Sequence, residues 1–92
     1  MVTAIILIQA RRDRIQEVAQ ELLAIDGIAE VYSVAGRWDL VAIARVARDA
    51  DLAEVATGPV GRVEGIERTE TLIAFRAMSR YDLERMFAIG LD

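Results

Sequence analysis

The chain contains no cysteine and no histidine. Without thiols there is no disulfide framework, and without either residue there is no zinc site of the usual kind, so the fold must hold by packing alone. The same absence removes the commonest general base and the best nucleophile. Ser33 and Ser79 have no base beside them in sequence, which argues against a hydrolytic triad and leaves no candidate catalytic residue. Long hydrophobic runs are missing too. The longest, residues 4–8 and 40–44, span five residues each, against the ~20 that a membrane helix requires. No basic stretch precedes the first run, so a signal peptide is not read, and the expectation is a soluble, cytoplasmic protein with no membrane partner. Positive charge is scarce as well: a net charge of −4 opposes a phosphate-binding surface, so direct contact with nucleic acid is not expected. The glycines form no phosphate cradle. In "GPVGRVEG" the spacing imitates one, but the preceding strand and the following lysine are lacking, and the phrase reads as a helix break. No cofactor is expected.

What is present is aliphatic. Hydrophobic residues make up 54% of the chain and aromatic residues only 5%, a balance that suits a small packed domain rather than a disordered tail. "TAIILIQA" is apolar on both alternating sets, as in a strand buried on two faces. In "RDRIQEVAQELLAIDG", Ile15, Val18, Ala19, Leu22 and Leu23 recur at helical spacing, with Arg14, Gln16, Glu17, Gln20 and Glu21 left for solvent. Asp13 with Gln16 forms a capping-box pattern, and Gly27 is placed as a left-handed cap after the helix. "IAEVYSVA" and "DLVAIARV" follow as two strands joined through Gly36, Arg37 and Trp38, too short a link for anything but a hairpin. A second helix is expected near Asp51, where Asp51 and Glu54 repeat the capping-box pattern, with a break at Gly58 and Pro59 opening a further turn. Residues 68–77 supply a fourth strand.

The order is therefore βαββαβ, and an internal echo supports it. Gly27 and Gly65 each lie within an acid-Gly-Ile phrase and stand 38 positions apart. Two βαβ halves make an α+β, ferredoxin-like sandwich in which both helices lie on one face of a four-stranded antiparallel sheet. The opposite face should then be polar, yet the first, third and fourth strands are apolar on both sets of positions. Such a face exceeds the apolar patch that monomers usually expose, so a homodimer packed sheet to sheet is expected. Residues 1–77 form the domain. Residues 78–92 read as a helical extension, with Ser79 as N-cap and Leu83, Met86 and Phe87 on one side; it packs on a partner subunit, folds back on its own domain or frays.

The carboxylates Glu17, Glu21, Glu54 and Glu84 fall on the solvent sides of helices and carry no chemistry. Attention settles instead on the hairpin and the fourth strand. Gly36 gives the turn a permissive backbone angle, and Asp39 can accept hydrogen bonds from turn amides. Trp38 is the largest apolar side chain in the molecule and stands in a turn, where an isolated module would expose it, whereas at a subunit interface it supplies large rigid area and one N–H donor. Thr69 and Thr71 alternate with Glu70, so both hydroxyls lie on one face of the strand, where strand propensity alone also favours threonine.

Gly36-Arg37-Trp38-Asp39, together with "EGIERTETLIAF" at residues 64–75, resembles the ligand-binding domain of the leucine-responsive/asparagine-regulator (Lrp/AsnC) transcription factors, also called the domain for regulation of amino-acid metabolism. The likeness covers residues 2–76. It implies sheet-to-sheet dimers that close into a ring, commonly an octamer, with a small amino-acid effector bound in clefts between dimers. Carried over by position, Gly36, Arg37, Trp38 and Asp39 form the turn that contacts the ligand, and Thr69 and Thr71 flank the same cleft. Backbone amides of the turn would hold an α-carboxylate, Asp39 would pair with an α-ammonium, and Trp38 would exclude water. Two departures stand out. Family regulators carry a DNA-binding helix-turn-helix ahead of this domain, whereas this sequence begins at the first strand and is expected to be a stand-alone module acting on full-length regulators. Arg37 stands where many relatives have an acidic residue, so it recognises either an acidic ligand side chain or a neighbouring subunit's carboxylate. Two rival readings remain: a cleft that is only an assembly interface, and a dimeric ferredoxin-like barrel enzyme of the cofactor-free monooxygenase or isomerase type, which would need a polar pocket between helices and sheet.

Overall fold

Residues apolar at every position cannot form an edge with one wet face, and the chain places them at the centre of the sheet. In the computed structural model, which describes residues 1–80, strand β1 (Val2–Ala10) runs between β3 (Leu40–Val46) and β4 (Ile66–Ile73), and β2 (Ile28–Ser33) lies outside β3. All three pairings are antiparallel. With helices α1 (Ile15–Leu23) and α2 (Asp49–Thr57) in the crossovers, the order is the βαββαβ arrangement expected of a ferredoxin-like α+β sandwich.

Alternation along the central strands separates the two faces. Ala4, Ile6, Ile8 and Ala10 of β1, and Leu40, Ala42, Ala44 and Val46 of β3, are buried beneath the helices. Val18 and Leu22 of α1 and Leu52 and Val55 of α2 complete this core, with Val60 beyond. No buried polar or charged residue interrupts it among the described residues. The centre of the helix–sheet layer is thus filled by aliphatic side chains. Leu23, counted with the helical stripe, is instead 53% exposed.

Both helix starts differ from expectation. A 3-10 turn at Arg12–Arg14 precedes α1, and the residue capping the helix is Arg14, with no side-chain hydrogen bond. The Asp13 carboxylate is taken by Arg11, whose guanidinium donates to it at 2.7 Å. Likewise α2 begins at Asp49, and Asp51 pairs with Arg48 at 3.1 Å rather than capping. In each case a nearby guanidinium offers the carboxylate a charge-assisted bond, which outcompetes a backbone amide. The break at Gly58 is found as expected, with Pro59 opening a 3-10 turn at Val60–Arg62.

The acid-Gly-Ile echo has a structural counterpart. Gly27 and Gly65 have φ of +99° and +102°, and each precedes an edge strand. The Gly27 carbonyl accepts from the Arg45 N–H (2.8 Å) near the end of β3, and the Gly65 carbonyl accepts from the Arg11 N–H (2.7 Å) just past β1. Each glycine also lies against the other half's strand or helix: a Cβ on Gly27 would meet Val46 and Val55, and one on Gly65 would meet Arg14 and Val18. Gly27 is therefore not the cap of α1, which ends at Leu23 with Ala24 in helical conformation; it is the point where the chain turns into β2.

The second sheet face has no cover in one chain. Ile5 and Leu7 sit opposite Ile43 and Val41, and Leu72 lies opposite Ile5, forming an apolar stripe on the side away from the helices. Its border is polar. Tyr32 donates to the Glu30 carboxylate, Arg45 pairs with the same group at 3.1 Å, and the two partners, Tyr32 first, hold Glu30 below the usual carboxylate range. The proposed extension at 78–92 lies mostly outside the described residues.

Because Gly65 combines a left-handed backbone with a Cβ position only 2.9 Å from the Arg14 Cβ, Gly65→Ala should cost about 1–3 kcal/mol in urea unfolding. Gly61→Ala, whose nearest contact is 3.7 Å away, should stay within ~0.5 kcal/mol of wild type. Equal stabilities for the two variants would contradict the role given to Gly65.

Candidate ligand-binding site

The β2–β3 connection is longer than the three residues Gly36, Arg37 and Trp38 expected from the sequence. Its ladder ends at Ser33 opposite Leu40, and the six residues Val34–Asp39 form the turn. The Val34 N–H donates to the Asp39 carbonyl at 3.1 Å, closing it, and the Asp39 N–H donates to the Ile8 carbonyl at 2.9 Å, tying it to β1. One residue further on, the chain has left the sheet, and the Ala10 N–H has no carbonyl to bond. The Asp39 carboxylate takes that place, accepting from the Ala10 N–H at 2.9 Å through Oδ2. A third tie comes from the side chain of Gln9, whose amide donates to the Arg37 carbonyl at 2.9 Å.

The other edge of β1 is irregular at the same point. Gln9 pairs with Arg68 and Ala10 with Ile66, so Glu67 is bulged out of the β1–β4 ladder. Arg68 is brought over the Trp38 ring, 5.9 Å from its centroid, and Trp38 is half-buried as a result. The turn is thereby fastened to two strands at once.

Of the sequence-predicted site residues, Gly36, Arg37, Trp38 and Asp39 are consecutive in this turn. Thr69 and Thr71 are not brought to it. They sit opposite Ile8 and Ile6, on the helix-layer face of β4, where both are exposed because the helices do not extend over this edge. Arg68, which touches Trp38, lies on the opposite face by strand alternation. Within one chain the six predicted residues are therefore divided between two places.

Two contributors were missed from sequence. Gln9 is the only polar residue in residues 4–10, and that interruption of an apolar strand was the available signal. Nothing local in the sequence marks Arg68, whose contact with Trp38 depends on the pairing of β4 with β1. Two open clefts complete the picture. One of about 560 Å³ lies between Ile15, Gln16 and Ala19 of α1 and Val31, Ser33 and Leu40 of the sheet, ending at the residues that flank the turn. The other, about 440 Å³, lies near Gly27, Val55 and Pro59. None of the six predicted residues lines either cleft.

Residues 3–83 match the family model described as the Lrp/AsnC ligand binding domain. The chain belongs to the Lrp/AsnC ligand-binding domain family. A crystal structure from Thermus thermophilus is similar at 45% identity, with a TM-score of 0.81, covering 87% of this chain and all of that one. An HTH-type transcriptional regulator of Pyrococcus furiosus is 30% identical over 60 residues, 65% of this chain. The matched segment spans only 40% of that relative's length. A Neisseria meningitidis transcriptional regulator, solved in complex with L-Met, shares the fold at 11% identity and a TM-score of 0.77 over 86% of this chain and 53% of that one. The Lrp/AsnC architecture thus accounts for the sheet order.

Asp39→Ala leaves the Ala10 N–H without its acceptor and should cost about 1–3 kcal/mol of stability, with faster amide exchange at Ala10. Asp39→Asn retains a carbonyl acceptor and should recover most of the loss. Unchanged exchange at Ala10 in Asp39→Ala would count against the tie.

Proposed function

We propose that this chain is a non-enzymatic effector-binding module that assembles through its open sheet face and binds a small amino acid at the Val34–Asp39 turn. The observation that carries the reading is the turn itself: it is fastened to β1 by three hydrogen bonds yet presents Arg37 outward and Trp38 half-buried. A turn held this firmly is a preorganised recognition surface rather than a mere link between strands. Family membership supports the same use, and so does the L-Met complex of the Neisseria regulator.

Assembly follows from the other sheet face. Ile5, Leu7, Val41, Ile43 and Leu72 form an apolar stripe that a second copy would cover, each large aliphatic gaining ~1.5–3 kcal/mol on full burial. The uncovered face of β4 then remains for contact between dimers, which would bring Thr69 and Thr71 of one chain toward the turn of another and close a ring, an octamer in the expected form. A regulator with the same domain offers the same sheet face, so mixed assembly with full-length Lrp/AsnC regulators is the proposed route to an effect on transcription.

Native mass spectrometry, with and without amino acids at millimolar concentration, tests both halves. Even-numbered assemblies that retain an amino acid, and lose it in Trp38→Ala, are expected; dimers without adducts would contradict the effector reading. Leu7→Glu places a charge in the centre of the open face and should yield monomers by light scattering. An assembly unchanged by Leu7→Glu would exclude the sheet-to-sheet interface.

A further inference from the structure

Donor and acceptor accounting at the turn points to the class of its ligand. Three acceptors of the turn are committed within the chain: the Arg37 carbonyl takes the Gln9 amide, the Asp39 carbonyl takes the Val34 N–H, and Oδ2 of the Asp39 carboxylate takes the Ala10 N–H. Two side-chain groups of the turn have no partner among the described residues, the Arg37 guanidinium and the Trp38 indole N–H. Both can only donate.

Arg68 adds a second cation at the same indole. Glu67 precedes it and Glu70 follows two residues on, on its face of the strand, yet it pairs with neither; the ion pairs among the described residues use Arg11, Arg14, Arg45 and Arg48. A guanidinium over an indole keeps its edge N–H groups free, and that edge matches the two oxygens of a carboxylate. Arg37 precedes Trp38 in the turn and Arg68 lies against its ring, so two arginines without an ion pair among the described residues border one indole in a chain of net charge −4.

We propose that the turn takes a small dicarboxylate, with aspartate and glutamate the amino acids of that class: one carboxylate on Arg68 beside Trp38, the other on Arg37. This rests on the effector-binding reading above and specifies its ligand. Gln9 and Asp39 touch no ligand in this arrangement. They are positioning residues, which fix the direction in which Arg37 and Trp38 are presented.

Trp38 is the only tryptophan, so its fluorescence reads the site directly. The purified protein is titrated with aspartate, glutamate, succinate, 2-oxoglutarate, leucine and lysine. A saturable change is expected with aspartate or glutamate and none with leucine or lysine. Arg37→Gln and Arg68→Gln should each weaken binding about tenfold or more, with circular dichroism unchanged. Saturation by succinate and 2-oxoglutarate as well would assign recognition to the carboxylates alone, whereas silence toward these two would make the amino group part of it; both support the dicarboxylate. Gln9→Ala should shift the ligand-free emission of Trp38 and weaken aspartate and glutamate alike. Saturation by leucine or lysine, undiminished in both arginine variants, would overturn the dicarboxylate and leave effector binding standing. Silence toward every compound would overturn it too. An adduct still seen by mass spectrometry would then put binding away from the turn, and no adduct would remove the effector reading with it.

Discussion

The hydrogen bond from the Ala10 N–H to the Asp39 carboxylate holds the Val34–Asp39 turn in place at the end of β1. The central strand β1 outruns its neighbour β3 there, and a part-buried amide left without an acceptor would cost roughly 1–3 kcal/mol. A turn residue supplies the acceptor, so the same atom pair that completes the sheet also fixes the turn. Trp38 and Arg37, adjacent to Asp39, are consequently presented by the edge of a rigid sheet and not by a wandering loop. The carboxylate most readily assigned to a ligand's ammonium group already has one oxygen engaged inside the protein.

A second constraint acts on the whole sheet. Two helices can cover only one face of four strands, yet β1 and β3 are apolar at nearly every position, so a layer of aliphatic residues is left facing outward. The helices also stop short of β4, leaving Thr69 and Thr71 uncovered on their own side. The two uncovered regions lie on opposite faces of the sheet. A chain built this way can be covered in two directions at once, the geometric requirement for a ring of dimers in place of a single pair.

Much of this was legible in the residues. Patterning alone placed four strands and two helices in the right order, because the switch from a short continuous apolar run to helical spacing is sharp at Arg11 and again near Asp49. The repeated acid-Gly-Ile phrase pointed to two glycines that prove to hold matching left-handed conformations. Capping was misread for a definite reason: Asp13 and Asp51 each have an arginine two or three residues earlier, and the ion pair takes the carboxylate from the helix end. The motif singled out the turn residues, but not the contacts that hold them in place in this structure. Gln9 and Arg68 lie 28 positions or more from the residues they touch, and Arg68 is set beside the turn by its pairing with Gln9 in the β1–β4 register. The separation of the threonines from Trp38 likewise depends on strand register, which no local pattern specifies.

The claim that the turn holds the effector is tested most directly by the Trp38 indole N–H resonance, the only one of its kind in a 15N-labelled sample. On addition of a bound amino acid, the resonance should shift together with the backbone amides of Gly36, Arg37 and Trp38, while those along the α1 cleft stay put. Shifts confined to residues such as Gln16, Ala19 and Ser33 would place the ligand in that cleft and contradict the account.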